Sequence, residues 1–168
     1  MNPESILKGR MAESLVEELL KRSGNTVTRF GYESIVQNLM QLENSGEVEE
    51  RLRAIPDFIV LDKKGKPEFV EVKFRFDPDA MLHDETIEVL ERVEKYWNPL
   101  MVFVNCMEKP YFRVCRPPYF KNFSLPKKGL VFEPLAEAKE WHIDPSVYVE
   151  YEALVEKYLT PTLKSQSA

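Results

Sequence analysis

Three places in this chain carry acids and a base at spacings that could do chemistry: Pro56-Asp57, Glu71-Val72-Lys73 and, far upstream, Glu13. Glu71 and Lys73 are two apart in an apolar, β-prone stretch, so they project from the same side of a strand, while Val70, Val72 and Phe74 project from the other. Charges on so apolar a strand need a partner or a task. Asp57 belongs to the preceding strand and can reach the same edge. Two carboxylates aimed at one point repel unless a cation lies between them. An all-oxygen donor set suits a hard ion, Mg²⁺ with Mn²⁺ as substitute, rather than zinc. Such an ion can polarise a phosphate and help activate water, with Lys73 orienting or deprotonating that water or stabilising charge on the phosphate. Glu13 can add a carboxylate through water or a second ion.

These groups must be positioned by the elements around them. Asn2 and Pro3 form a cap and first-turn pair for a helix whose apolar face is Ala12, Leu15, Val16, Leu19 and Leu20, ended by Gly24. Glu13 falls on the flank of that face. Gly9 points to the buried side, which predicts close approach of a neighbouring backbone. Residues 26–30 read as a strand and Ser34 as the cap of a helix through Ile35, Val36, Leu39 and Met40. The charged stretch Glu47 to Arg53 reads as a loop or the start of a long strand. Ile55 to Leu61 and Glu68 to Phe74 read as a hairpin around a polar turn with Gly65 at its tip. A helix from Asp84 with Ile87, Leu90 and Val93 precedes the continuous apolar run Leu100 to Val104, the pattern of a strand buried on both faces. Tyr111 to Val114 reads as a further strand and Pro117 to Gly129 as loop. A last helix follows Asp144-Pro145, with Val147, Tyr151, Leu154, Val155 and Tyr158 as its apolar residues. A helix between a hairpin and a buried strand implies a mixed sheet in an α/β sandwich.

At Pro56-Asp57 with Glu71-Val72-Lys73 the chain resembles the PD-(D/E)XK nuclease superfamily, which includes restriction endonucleases and archaeal Holliday junction resolvases. The opening Lys8-Gly9-Arg10-Met11-Ala12-Glu13 resembles the Lys-Gly…Glu start of resolvase-like members, in which the helix glutamate joins the site. The resemblance spans residues 8–104. It implies an α/β restriction-endonuclease-like three-layer sandwich with a central mixed β-sheet flanked by helices. It also implies catalytic Asp57, Glu71, Lys73 and Glu13, with Asp57, Glu71, Glu13 and the Val72 backbone carbonyl as metal ligands. Activity would be Mg²⁺-dependent phosphodiester hydrolysis, with DNA as the expected nucleic-acid partner and a homodimer as the expected assembly. Recombination-exonuclease relatives carry Gln-x-x-x-Tyr in the following helix. Here Arg92 stands four before Tyr96, so the chain is not placed in that branch. Two other readings stand beside this one: a catalytically silent nuclease-fold module that binds nucleic acid or a partner protein, and an unrelated α/β subunit with a chance motif.

Size and composition set the frame. A length of 168 residues suits one domain with a self-sufficient core. The expected division is a nuclease-like domain over residues 1–160, its core at 8–115, a C-terminal helical extension at 133–160 and a flexible tail at 161–168. No apolar run approaches a membrane span, and Met1-Asn2-Pro3-Glu4 opens no signal peptide, so a cytoplasmic protein is expected. Cys106 and Cys115 read as reduced thiols, with a cross-hairpin disulfide as the alternative. The net charge of −5 argues against a protein that coats nucleic acid, so phosphate contacts would have to come from a local basic patch or a second subunit. Candidates are Arg75, on the site's face of its strand, and Lys63, Lys64 and Lys66 at the hairpin tip. Arg29, Glu33 and Gln37 are further cleft candidates. Asp62 reads as a turn residue, and Trp97 and Trp141 as core.

Overall fold

The structure is a computed structural model, and it describes residues 2–30, 46–120 and 130–161. Helix α1 (Pro3–Arg22) starts as its sequence dictates: Asn2 accepts a hydrogen bond from the Glu4 N–H at 3.0 Å, and Pro3 sits in the first turn. Beyond its end, Gly24 takes φ 95°, a left-handed conformation that glycine adopts without a Cβ clash. Strand β1 (Val27–Arg29) follows. Helix α2 (Glu47–Arg53) replaces the loop or strand expected there. Its acids lie in the first turn and its arginines in the last, matching the helix dipole, and Glu49 pairs with Arg53 one turn on. The helix expected from Ser34 lies outside the described residues, as does the tail at 162–168.

Strands β2 (Phe58–Leu61) and β3 (Pro67–Phe74) form the expected hairpin. Asp62 organises its turn by accepting from the Lys64 and Lys66 N–H groups, each at 2.8 Å. A 3-10 turn (Asp79–Leu82) leads into α3 (Asp84–Tyr96), for which His83 rather than Asp84 is the cap residue. Strand β4 (Leu100–Val104) is buried along its whole length. β5 (Phe112–Cys115), β6 (Glu133–Pro134) and α4 (Pro145–Tyr158) complete the described elements. Asp144 caps α4 by accepting from Ser146 N–H at 2.9 Å.

The sheet runs β1-β2-β3-β4-β5-β6. Its one parallel pair, β3 with β4, is the pair joined through α3, because parallel neighbours need a crossover; the other pairs are antiparallel. The chain is thus a mixed α/β protein with a six-stranded mixed sheet and four α-helices among the described residues. Helices cover both faces. On one face Val70, Val72, Val102 and Val104 pack with Ala12, Val16, Leu19 and Leu20 of α1 and Tyr151 and Val155 of α4. On the other, Met101 and Phe103 pack with Leu90 and Val93 of α3. Alternation along β4 feeds both cores. Trp141 belongs to the first core, together with Leu135 after β6, so the C-terminal residues share the core of α1.

Two local expectations change. Tyr158 of α4 is exposed, and Tyr148 takes the buried position instead. Gly9 approaches no backbone among the described residues: a Cβ built there would meet none of their atoms within 4 Å. It opens on a cleft. Cys106 and Cys115 are buried and are not joined in a disulfide. Among the described residues no helix is long and apolar enough to cross a membrane.

Candidate active site

The site begins where the β2–β3 ladder breaks. Phe58 lies opposite Val70 and Ile59 opposite Phe69, so continuing the register sets Asp57 opposite Glu71 and Pro56 opposite Val72. Proline has no N–H to donate, so the ladder cannot extend past Asp57. The Asp57 side chain takes over: its Oδ2 accepts the Val72 N–H at 2.8 Å. Its backbone carbonyl accepts from Phe30 N–H at 3.2 Å, tying this corner to the end of β1. A residue's N–H and C=O leave an extended strand on the same side, so the Val72 carbonyl faces the same notch.

Strand parity puts Glu71, Lys73 and Arg75 on one face, as expected. Glu71 is only 7% exposed. Its Oε1 meets Lys73 Nζ at 2.5 Å, whereas Oε2 is buried with no hydrogen-bond partner among the described residues. Burial pushes the Glu71 carboxyl up to about 7; Lys73 opposes this, while Asp57 and Glu13 add to it. Burial also raises Asp57, against the pull of Lys73 and the Val72 N–H. For Lys73 burial works downward, but the facing Glu71 and Asp57 outweigh it and its ammonium is held above the usual value. The upward shifts on both sides of the Glu71–Lys73 pair have one explanation. Two buried carboxylates share a single cation, so the lysine stays charged while the acid pair is short of positive charge.

Glu13 is at the rim. It is felt at Glu71, but its Oε2 also faces Arg29 Nη1 at 3.8 Å. Arg29 is itself held by Glu17 at 2.5 Å and lies over the Phe58 ring. The structure therefore brings Asp57, Glu71 and Lys73 together and leaves Glu13 on the flank. Among the described residues, no group of three His, Cys, Asp or Glu side chains converges tightly enough to hold an ion as it stands. The donor chemistry still fits a hard divalent cation. The orphaned Glu71 Oε2 lies in a charge-poor acid pair, and both the Asp57 carboxylate and the Val72 carbonyl face the same notch.

A cleft of about 530 Å³ opens beside these groups, lined by the first turns of α1, the end of β3 and the residues that follow it. Gly9, Arg10, Glu13, Lys73, Arg75 and Phe76 are on its wall. Arg75 is half-buried, and burial lowers its pKa, with Glu85 pulling the other way. Its Nε–H donates to Thr86 Oγ1 at 2.6 Å, and the Thr86 hydroxyl donates onward to the Ala80 carbonyl at 3.0 Å. Residue type and spacing alone assign no role to Arg10, Phe76 or Thr86. Arg10 stood inside the Lys8-to-Glu13 motif, a usable signal; Phe76 and Thr86 gave none, because only the fold turns them to the cleft wall and to Arg75.

Other candidates lie elsewhere. At the hairpin tip Lys66 pairs with Glu68 at 3.0 Å, and the Lys63 N–H donates to the Glu140 carbonyl at 2.9 Å. Trp141 is core, and Trp97 packs edge-on against Phe69. Glu33 and Gln37 lie outside the described residues. No protein-family model matches the chain, and no curated protein or solved structure matches it.

Proposed function

We propose that this protein is a divalent-cation-dependent nuclease of restriction-endonuclease-like fold that hydrolyses phosphodiester bonds in DNA. One observation carries the reading: the buried Glu71 Oε2 has no hydrogen-bond partner among the described residues, beside a second carboxylate and a charged lysine. A buried carboxylate oxygen left unpaired is costly and calls for a cation.

Asp57 and Glu71 would hold Mg²⁺ or Mn²⁺, with the Val72 carbonyl as a neutral ligand and Glu13 reaching in through water. The bound ion would supply Lewis-acid stabilisation of phosphate charge and a more acidic water. The chain's own groups do the rest. Asp57 fixes the corner of the notch through the Val72 N–H and so sets the distance between the two acids. Lys73, kept protonated by Glu71 and Asp57, places a positive Nζ where charge grows on a phosphate oxygen as water adds to phosphorus and the bond to the leaving sugar oxygen breaks. A charged lysine is a stabiliser or proton donor to that leaving oxygen rather than a base.

The test is Mg²⁺- and Mn²⁺-dependent cleavage of labelled single-stranded, duplex, flapped and four-way DNA and of RNA, with Asp57→Ala and Lys73→Ala alongside. Cleavage abolished in both variants and by EDTA supports the reading. Calorimetric titration with Mn²⁺ then separates a silent site from none: no binding by the wild type would sink it. Mn²⁺ binding that Asp57→Ala abolishes, without turnover, would favour the catalytically silent module.

A further inference from the structure

Arg75 is a half-buried cation on which Glu85 acts only from beyond ion-pair distance. Among the described residues no carboxylate forms an ion pair with it; its bonds go to neutral oxygens, Thr86 Oγ1 at 2.6 Å and the Phe74 carbonyl at 2.8 Å. The Thr86 side chain is fully engaged, since its own hydroxyl donates to Ala80. These contacts fix the guanidinium plane while leaving part of its fork of N–H donors unused. Taking a charge partly out of water without a close counter-charge is costly, and Glu85 acts on Arg75 only from beyond ion-pair distance, so the cleft that Arg75 lines suits an anion that bonds it directly. Lys73 is on the same strand face, and Arg10, which has no side-chain partner among the described residues, reaches the cleft from α1. Glu13 and Glu85 also line it and Lys73 pairs with Glu71, so it is the free N–H donors of Arg75, rather than a broad positive field, that suit a phosphate.

Two more features narrow the anion. Phe76 stands on the cleft wall 43% exposed, although its backbone is anchored by the Cys106 N–H at 3.3 Å. Opposite, Ile6 adds apolar surface, and Gly9 holds open space that any side chain would fill. A mid-helix glycine costs about 0.5–1 kcal/mol relative to alanine, and no protein atom needs the room. A phosphate seat beside an exposed ring matches the parts of a single-strand site: cations for the backbone and an aromatic face for a base. A cleft of about 530 Å³ is of small-ligand size and admits a nucleotide or two, not a paired helix.

We propose that this cleft seats one unpaired nucleic-acid strand, with Arg75 clamping a backbone phosphate next to the reacting one and Phe76 stacking a base. The inference rests on the nuclease reading and names its substrate class: frayed ends, flaps and single strands in preference to continuous duplex.

The experiment is fluorescence anisotropy of labelled oligothymidylate and of a blunt duplex in Ca²⁺ buffer, over a salt series. Wild type is compared with Arg75→Ala, Arg75→Lys and Phe76→Ala. The wild type is expected to bind the strand about tenfold or more tighter than the duplex. Losing one stacked base costs about 5- to 150-fold in affinity, which is the expectation for Phe76→Ala with an unchanged salt slope. Arg75→Ala should weaken binding and flatten the log–log salt slope by about 0.7, one phosphate contact. Arg75→Lys should restore the slope but not the full affinity, because it keeps the charge and loses the fork. Should Arg75→Ala fold poorly, Arg75→Lys and Phe76→Ala decide. Equal or tighter duplex binding, or wild-type affinity in the variants, overturns the proposal. Cleavage that needs Asp57 but ignores Arg75 and Phe76 removes the strand seat alone. Strand binding that needs both, without cleavage of any substrate, removes the nuclease reading alone.

Discussion

Glu71 makes the site's electrostatics measurable without any substrate. Its carboxyl is shifted from 4.5 to about 7 in the folded chain, first by burial. Between those values the folded state holds a proton that the unfolded chain has released, so stability must fall as pH rises. At about 1.36 kcal/mol per unit, the full shift is on the order of 3 kcal/mol, lost from pH 4.5 to 7 and level above. Asp57, also raised, contributes in the same direction from the acid side. Lys73 is raised from 10.5, so its contribution is constant throughout this window. The perturbation is Glu71→Gln, which removes the titration while Asp57 still faces Lys73. Guanidinium unfolding of both proteins in EDTA, from pH 4.5 to 8.5, gives the comparison. Relative to the variant, the wild type should lose about 3 kcal/mol across the window, roughly 6–12 °C in Tm for a domain of this size. Parallel pH profiles for the two proteins would refute the account of Glu71 as a buried acid short of positive charge. Adding Mn²⁺ at pH 8 should restore stability to the wild type and not to Glu71→Gln.

Four further outcomes follow from the same geometry. Mn²⁺ affinity should drop about tenfold per pH unit below about 7, because the ion must displace the Glu71 proton, and calorimetry at pH 5.5, 6.5 and 7.5 measures this. Gly9→Ala should stabilise the fold by about 0.5–1 kcal/mol, since the new methyl meets nothing; a thermal melt that falls instead would show that Gly9 is needed structurally. Thr86→Val strands the Nε–H of Arg75 and should cost about 1–3 kcal/mol in urea unfolding. Trp141→Ala empties a fully buried site in the shared core and should cost about 3–5 kcal/mol by the same measurement, with metal binding unchanged in what remains folded.

The features legible in residue order alone are local. A cap and a proline start α1, a glycine-tipped turn joins β2 to β3, and period-two alternation sets Glu71, Lys73 and Arg75 on one face. The interactions behind these features span a few residues, so spacing alone reads them. The charged segment before Pro56 is local too, yet it forms a helix where its sequence suggests a loop or strand. Its helix pattern of first-turn acids and last-turn arginines was legible, but a run without apolar periodicity carries no statement of which face it buries. Tertiary structure decided the rest. Pairing Phe58 with Val70 is what sets Asp57 opposite Glu71 and ends the ladder at a proline; a register one residue away would separate the two acids onto opposite faces. Whether Glu13 enters the notch or turns to Arg29 depends on how α1 lies on the sheet. That Gly9 faces open space and that Arg75 has no carboxylate at ion-pair distance among the described residues are properties of what surrounds them. A sequence lists residues but not the space around them, and only the fold shows that Gly9, Arg75 and Phe76 share one cleft.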